Sequence, residues 1–325
     1  MYKMHIRLAF FFCLLLPLIF AGCAAEDMGA EEDTPALEVM TTIYPLADIA
    51  SELGGDQVEV NYLLPAGASP HTYEPTVEQA KMIDQADLFL YIGADLDNWA
   101  LELTDAAGAD LVTAGMADYV TAVEAAEYEH LHDNHEDHEH HENGHCCSNG
   151  HAHGDKDPHF WLDPLIVRDG FAPAIHEKLV SLAPEKEDYF EQNLDQYSGE
   201  LTRLHEEIED RVDDFSQRSF IAFHSAWQYF ADRYGLEEVA VIAQFPGQEP
   251  SAGWVAELIE LIEEEEIAAI FTEPQFAPDL ADRIAEESGV SVKVIDPLGG
   301  EELEGRKTYL DLMRYNLSVF AEAMQ

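Results

Sequence analysis

Short apolar runs alternate with amphipathic segments over most of the chain. Before residue 115 helix-like segments separate four strand-like runs, which are LEVMTTIY (37–44), QVEVNYLL (57–64), DLFLYIG (87–93) and ADLVTA (109–114). Strand runs that alternate with helices are typical of βαβ units and a parallel sheet. The same pattern returns later in RSFIAF (218–223), EVAVIA (238–243), AAIFTE (268–273) and SVKVID (291–296).

Residues 173–214 interrupt this alternation, because they contain no strand-like run and their apolar positions follow helical spacing. Pro184 suits the first turn of a helix that continues to about Phe215. Such a helix of about 30 residues spans about 45 Å, which is long enough to connect two lobes. We therefore predict an α/β fold with two parallel-sheet α/β lobes joined by a long rigid helix. The N-terminal lobe covers 37–170, the linking helical segment 171–216 and the C-terminal lobe 217–325.

The N-terminus has the composition of an export signal. Lys3 and Arg7 precede an apolar run from Leu8 to Phe20, and Ala21-Gly22 then leads to Cys23. The run is short for a membrane-spanning helix and suits a signal peptide over residues 1–22. Small residues before a cysteine also resemble the lipobox of bacterial lipoproteins, so we predict lipidation of Cys23 and a flexible acidic tether over 23–36. The alternative is an ordinary cleaved signal with an incidental cysteine.

The charge balance excludes one class of partner. The chain has 66 acidic and 16 basic Lys and Arg residues, for a net charge of −50. Such a surface repels nucleic acid and attracts cations. With only four cysteines in the whole chain, the sequence contains no disulfide framework.

Four polar residues each end or follow a strand-like run. They are His71 in PAGASPHTYEP, His159 in DPHFWLDP, His224 in FHSAWQYF and Asp296 in IDPLG. Any one alone is most simply a hydrogen-bonded structural residue. Ligands of such folds bind beyond the carboxyl ends of the strands, so the four side chains can converge in the cleft between the lobes. Three imidazoles and one carboxylate form a near-tetrahedral site that suits Zn²⁺. His176 and His205 are assigned to solvated faces of the helical segment.

These motifs, together with FTEPQF, resemble the solute-binding proteins of zinc and manganese ABC transporters (the ZnuA-type, cluster A-I family) from about Val39 to the C-terminus. The resemblance implies one metal ion held by residues that match His71, His159, His224 and Asp296. It also implies delivery of the metal to a membrane permease driven by a cytoplasmic ATPase. Manganese-selective members typically have Glu where this chain has His224, so we expect zinc rather than the harder Mn²⁺.

Glu273 also ends a strand and faces the same cleft. It could ligate the metal, cap the following turn or accept the second ring N–H of a metal-bound histidine. The last role is common in metal sites and is the one we expect.

Residues 129–157 contain nine histidines among acidic residues and glycines, with almost no apolar positions. We predict a mobile loop, which resembles the histidine-rich insertion of zinc-specific family members and binds additional zinc weakly. The alternative is a solvated low-complexity segment. Cys146 and Cys147 could add zinc affinity or form a disulfide, and both remain open. The candidate auxiliary residues are His130, His132, His135, His138, His140, His141, His145, Cys146, Cys147, His151 and His153.

We therefore predict a monomeric binding protein, not an enzyme, anchored by lipid on the extracytoplasmic membrane face. The chain has no nucleotide-binding GxxxxGK[ST] motif, so ATP hydrolysis would fall to a partner. A zinc hydrolase is the main rival, but Asp296 would fill the position that a catalytic zinc leaves to water. A manganese-binding component or an adhesin of the same family is the other alternative.

Overall fold

Within the described residues, eight strands form two parallel four-stranded sheets. The structure is a computed structural model that describes residues 36–104, 111–121, 156–243, 247, 249–265 and 267–325. The predicted signal peptide, Cys23 and all of the auxiliary histidines and cysteines lie outside these residues. The first sheet has the order β2-β1-β3-β4 and the second β6-β5-β7-β8, so the same topology occurs twice. The strands are β1 Leu37–Thr41, β2 Val58–Tyr62, β3 Leu88–Tyr91, β4 Val112–Gly115, β5 Ser219–Ala222, β6 Glu237–Val241, β7 Ile270–Thr272 and β8 Val292–Val294.

Helices connect the strands, as the alternation predicts. In the part of the chain that the structure describes, three helices belong to the first lobe, three precede the second sheet, and four belong to the second lobe. In chain order they are α1 Tyr44–Gly54, α2 Val77–Asp84, α3 Asn98–Thr104, α4 Pro164–Ile166, α5 Ala172–Leu182, α6 Glu187–Asp213, α7 Gln228–Tyr234, α8 Ala252–Glu264, α9 Asp279–Ser288 and α10 Tyr309–Met324. A π-helical turn, Val167–Phe171, joins α4 to α5.

The central strands of both sheets are buried on both faces. Neighbouring residues of such a strand point to opposite sides of the sheet, and both are apolar. In β1, Val39 packs into the main core and Met40 into a smaller cluster on the other face. In β7, Phe271 joins the main core and Ile270 joins a separate cluster of the second lobe. The continuous apolar runs of the sequence therefore correspond to sheets that helices cover on both sides.

The long helix α6 packs against both halves of the fold. Its contacts include α1 and α5 from the first half and α10 from the second. The buried face consists of residues at intervals of three, four and seven, which are Phe190, Tyr197, Leu201, Leu204, Ile208 and Val212. A 3₁₀ turn, Pro184–Lys186, precedes the helix, so the predicted start at Pro184 is one turn ahead of the α-helix itself. The predicted fold class is confirmed.

None of the helices in the described part of the chain combines the length and the apolar character that a bilayer-spanning segment requires.

Candidate metal centre

The three histidines predicted as ligands come together in the structure, although in the described part of the chain only His224 lies close to the end of a strand. His71 lies in the loop between β2 and α2, His159 precedes the 3₁₀ turn Phe160–Leu162, and His224 follows β5. One ring nitrogen from each of the three lies within 4.8 Å of the other two, and among the described residues this is the group of His, Cys, Asp and Glu side chains suited to a metal ion. The three histidines do not form a local sequence motif, because they are 88 and 65 residues apart along the chain.

The rings face one another at similar separations. Ring centroids are 5.2 Å apart for His71 and His159, 5.4 Å for His71 and His224, and 5.2 Å for His159 and His224. The Nε2 atoms of His71 and His159 lie 3.2 Å apart. Two nitrogens bound to one tetrahedral Zn²⁺, each about 2.0–2.1 Å from it, would lie about 3.3 Å apart. The Nε2 atoms of His71 and His159 are therefore spaced as a tetrahedral zinc ion requires.

Two buried carboxylates hold two of the rings from behind. Asp157 Oδ1 lies 2.6 Å from Nδ1 of His159 and also accepts the His159 backbone N–H. Glu273 Oε1 lies 2.8 Å from Nδ1 of His224. A carboxylate can only accept here, so each histidine donates from Nδ1 and presents the lone pair of Nε2 to the centre. Nε2 of His224 is buried and has no hydrogen-bond partner among the described residues.

The contact between Glu273 and His224 follows from the sheet topology. β5 and β7 are parallel neighbours, so residues just beyond their carboxyl ends lie side by side. Phe223 donates its backbone N–H to the carbonyl of Phe271 at 2.7 Å, which extends the pairing up to His224. Glu273 therefore lies behind the His224 ring, within hydrogen-bond distance of Nδ1.

Burial and charge act in opposite directions on His224. Its burial lowers the pKa of the imidazole, whereas the charge and hydrogen bond of Glu273, with smaller contributions from Glu238 and Asp157, raise the pKa. The net result is a pKa above the ordinary histidine value. The site therefore favours a positive charge near His224, which a bound cation can supply in place of the proton.

Apolar and aromatic side chains close the space around the three rings. The Trp161 ring lies 5.3 Å from that of His159, and the Phe276 ring lies 5.2 Å from that of His224. Pro297 and Leu298 also line the cavity, whose volume is about 10 Å³. A space of this size holds about one water molecule or one small ion. It is too small for an organic solute.

Asp296, the predicted fourth ligand, is not part of the histidine group. Its Oδ1 accepts the backbone N–H groups of Leu298 and Gly299, and its Oδ2 lies 2.7 Å from Nη1 of Arg306. The side chain is buried, and both of its oxygens already accept hydrogen bonds. To reach a metal at the centre, Asp296 would have to exchange these partners.

Hydrogen bonds between the two halves of the fold keep the site closed. The Trp161 indole donates to the carbonyl of Pro297 at 2.7 Å, and the Tyr309 hydroxyl donates to the carbonyl of Trp161 at the same distance. The Tyr44 hydroxyl donates to the carbonyl of Lys307. The two lobes therefore meet directly beside the three histidines, where the sequence predicts a cleft.

Asp157 is the residue of the site that sequence reasoning missed. The sequence assigns it to the end of the histidine-rich loop, but its side chain is buried and bonded to His159. The sequence did contain a clue to this contact, since Asp157 lies only two residues before the predicted ligand His159. The expectation for His176 and His205 was also wrong in part, because both are half-buried and His205 Nδ1 lies 3.2 Å from the Tyr234 hydroxyl.

Comparison with known proteins agrees with this geometry. Residues 39–323 match the family model described as "Zinc-uptake complex component A periplasmic". The chain belongs to this family. By its description, the family is a component of a zinc-uptake complex, and the resemblance inferred from the motifs is confirmed.

Several curated relatives are similar to the chain over most of its length. The zinc-binding lipoprotein AdcA of Streptococcus pneumoniae TIGR4 is 29% identical over 95% of this chain, but the chain spans only 59% of AdcA. The high-affinity zinc uptake system protein ZnuA of Bacillus subtilis 168 is 29% identical over 94% of both chains. The manganese-binding lipoprotein MntA of Halalkalibacterium halodurans is 26% identical over 97% of both chains.

Solved structures share the fold. A crystal structure of ZnuA matches with a TM-score of 0.75 and 30% identity over 89% of this chain and all of that one. The laminin-binding adhesin Lmb of Streptococcus agalactiae matches with a TM-score of 0.73 and 26% identity over 89% of this chain and all of that one. These proteins are named for metal binding, metal uptake or adhesion and not for an enzyme, which agrees with the prediction that the chain is not an enzyme.

Proposed function

We propose that the protein captures Zn²⁺ between its two lobes, with His71, His159 and His224 as ligands, for delivery to a membrane permease. The observation that carries this proposal is the convergence of three imidazoles, with the Nε2 atoms of His71 and His159 facing each other. Asp157 and Glu273 support it, since buried carboxylates fix the orientation of two of the rings. Such carboxylate–histidine pairs are typical of zinc sites.

Zinc is favoured over manganese by the type of ligand. Three nitrogen donors suit Zn²⁺, whereas Mn²⁺ prefers carboxylate, carbonyl and water oxygens. The described carboxylates nearest the rings are hydrogen-bonded to histidine or, for Asp296, to Arg306. The sequence predicts Asp296 as the fourth ligand, a role that would require it to give up its bond to Arg306. Among the relatives, AdcA and ZnuA are named for zinc and MntA for manganese.

We further propose that the protein acts outside the cytoplasm, tethered through a lipid on Cys23, and transfers its metal to an ABC permease with a cytoplasmic ATPase. The sequence motif at Cys23 and the relatives named as lipoproteins support the anchor. The histidine-rich segment, with its nine imidazoles, would collect zinc at lower affinity before capture at the centre. We also propose that the N-terminal lobe covers residues 37–170, the linking helical segment 171–216 and the C-terminal lobe 217–325.

A titration of the metal-free protein with Zn²⁺ and Mn²⁺ by calorimetry tests the function. We expect one tight zinc site that survives deletion of residues 129–153, weaker zinc sites that are lost with the deletion, and weaker binding of Mn²⁺. His224→Gln should abolish the tight site, while His176→Gln, a matched change at a half-buried histidine outside the group, should retain it. Loss of tight binding on deletion of 129–153 would instead place the main site in that segment.

Adhesion is a second candidate, because the chain is similar in structure to Lmb, which is described as an adhesin with metal-transporting activity. A gene deletion separates the two functions. Transport predicts slower growth in zinc-depleted medium that added zinc restores. Adhesion predicts loss of attachment to laminin that added zinc does not restore.

A further inference from the structure

Three imidazoles leave one position open on a tetrahedral zinc ion. A group at this position must lie within or beside the cavity that the histidines line. The polar side chains that share this lining with the histidines are Ser69, Glu273 and Gln275. Asp296 is absent from the lining, although its neighbours Pro297 and Leu298 contribute to it.

The side chain of Asp296 is held by Arg306 and by the backbone of the loop that follows Asp296. Its carboxylate accepts three hydrogen bonds, two from the backbone of Leu298 and Gly299 and one from Arg306. Gly299 has φ of +65°, and the Arg306 carbonyl lies 2.8 Å from the position a side-chain Cβ would take there. The loop is therefore closely packed around Asp296. The charge of Arg306, which stacks over the Tyr315 ring at 4.7 Å, compensates the buried carboxylate.

The turn after β7 follows a different course and wraps around His224. Glu273 binds His224 Nδ1, and the Phe276 ring packs on the same imidazole at 5.2 Å. A backbone hydrogen bond of 3.1 Å, from Phe276 N–H to the Glu273 carbonyl, closes the turn. Gln275 lies between these two residues and is thereby held beside the cavity.

The amide oxygen of Gln275 is buried and has no hydrogen-bond partner among the described residues. A buried carbonyl in this state is destabilising, and native structures rarely retain one without a reason. The atom belongs to a residue that borders the same cavity as His224, whose Nε2 is also buried without a partner in the described part of the chain. A metal ion with one bound water would satisfy both atoms, since the nitrogen would bind the ion and the oxygen would accept a water O–H.

We propose that Gln275 is the positioning residue of the fourth coordination position, where its amide oxygen accepts a hydrogen bond from a zinc-bound water. This inference rests on the proposed capture of zinc by the three histidines. It assigns the fourth position to a water held by a neutral amide rather than to the carboxylate of Asp296. All four ligands would then be neutral, so the coordination sphere would keep the +2 charge of the ion, and the carboxylates of Glu273 and Asp157 behind the imidazoles would balance it.

The test compares Gln275→Met with wild type, using Gln196→Met on the exposed side of α6 as the matched control. Zinc affinity is measured by competition with a chromogenic chelator, and the Co²⁺-loaded protein is followed by visible absorption, which responds to the coordination of the metal. We expect Gln275→Met to weaken Zn²⁺ about tenfold, within the usual range for residues that support a metal ligand. The Co²⁺ spectrum should change, and Gln196→Met should match wild type in both measurements.

Three further measurements separate the outcomes. Gln275→Glu keeps an acceptor and should bind Zn²⁺ at least as tightly as wild type. The metal-free Gln275→Met protein should melt no lower than wild type, because the unpartnered oxygen has been removed; a lower melting temperature would indicate a structural role and overturn the proposal. Zinc affinity of Gln275→Met within twofold of wild type would also overturn it. His224→Gln tests the underlying site, so loss of zinc there combined with no effect at Gln275 would refute this inference alone.

Discussion

Replacing Glu273 by Gln tests whether the carboxylate behind His224 strengthens metal binding. Glu273 accepts a hydrogen bond from His224 Nδ1 at 2.8 Å, and the two residues are 3% and 4% exposed, so solvent screens their interaction little. A glutamine can accept the same hydrogen bond through its amide oxygen. The substitution therefore removes the negative charge while keeping the orientation of the ring.

The size of the effect follows from the difference between charged and neutral hydrogen bonds. Bonds to charged groups contribute about 1.5–3 kcal/mol and neutral bonds about 0.5–1.5 kcal/mol. The midpoints of these ranges differ by about 1.3 kcal/mol, which corresponds to nearly a tenfold loss of zinc affinity. A proton competes with zinc for the imidazole, and Glu273 raises the pKa of His224, so in wild type this competition begins at a higher pH. Glu273→Gln should lower the pKa of His224, which partly offsets the loss of affinity at low pH.

Zinc affinity should therefore be measured by chelator competition at pH 8 and at pH 6. We expect the deficit of Glu273→Gln to be about tenfold at pH 8 and smaller at pH 6. Glu264→Gln, at an exposed position near the end of α8, makes the same change in net charge and should bind as wild type does. Equal affinity of Glu273→Gln and wild type at pH 8, or a deficit that grows as the pH falls, would refute this reasoning.

Three further predictions concern stability. Burial raises the pKa of Asp48 to about 7, although the hydrogen bond from the Tyr309 backbone N–H opposes this rise. The folded protein therefore keeps a proton that the unfolded chain releases near pH 4. As a result, the free energy of unfolding decreases as the pH rises between these two values. Asp48→Asn should raise the melting temperature at pH 8 and change it little at pH 4, and an equal change at both would contradict the assignment. Phe320 is fully buried against Trp227, Phe230 and Phe271. Phe320→Ala should lower the free energy of unfolding in urea by about 3–5 kcal/mol, whereas a decrease below about 1 kcal/mol would mean that this cluster is not a packed core. Because the net charge is −50, KCl should raise the melting temperature by screening self-repulsion, and a melting temperature independent of KCl would count against that repulsion.

Local patterns predicted the fold because they report burial directly. Each of the eight strand-like runs overlaps a strand, since residues such as Val39 and Met40 are both apolar and both faces of the sheet are covered. The long helix α6 could be predicted from the sequence because its buried positions repeat at helical spacing. The rule that ligands bind beyond the carboxyl ends of parallel strands accounts for His224, which lies just after β5, but His159 precedes a 3₁₀ turn and its position depends on tertiary packing.

The partners of the site residues were harder to predict, because tertiary packing selects them. No sequence pattern relates Asp296 to Arg306, and the carboxylate could equally have faced the metal. The bond from Trp161 to Pro297 joins residues 136 positions apart. Asp157 was hidden for a different reason, since it is the last residue of a polar low-complexity segment and shares its composition.

X-ray absorption at the zinc edge, on protein loaded with one equivalent of Zn²⁺, tests the central claim most directly. Zinc bound by His71, His159 and His224 should show three imidazole nitrogens and one further light-atom ligand at about 2.0–2.1 Å, with no sulfur. A sulfur ligand at about 2.3 Å would place the first zinc at Cys146 and Cys147 in the histidine-rich segment. Fewer than three imidazoles would likewise contradict the three-histidine centre.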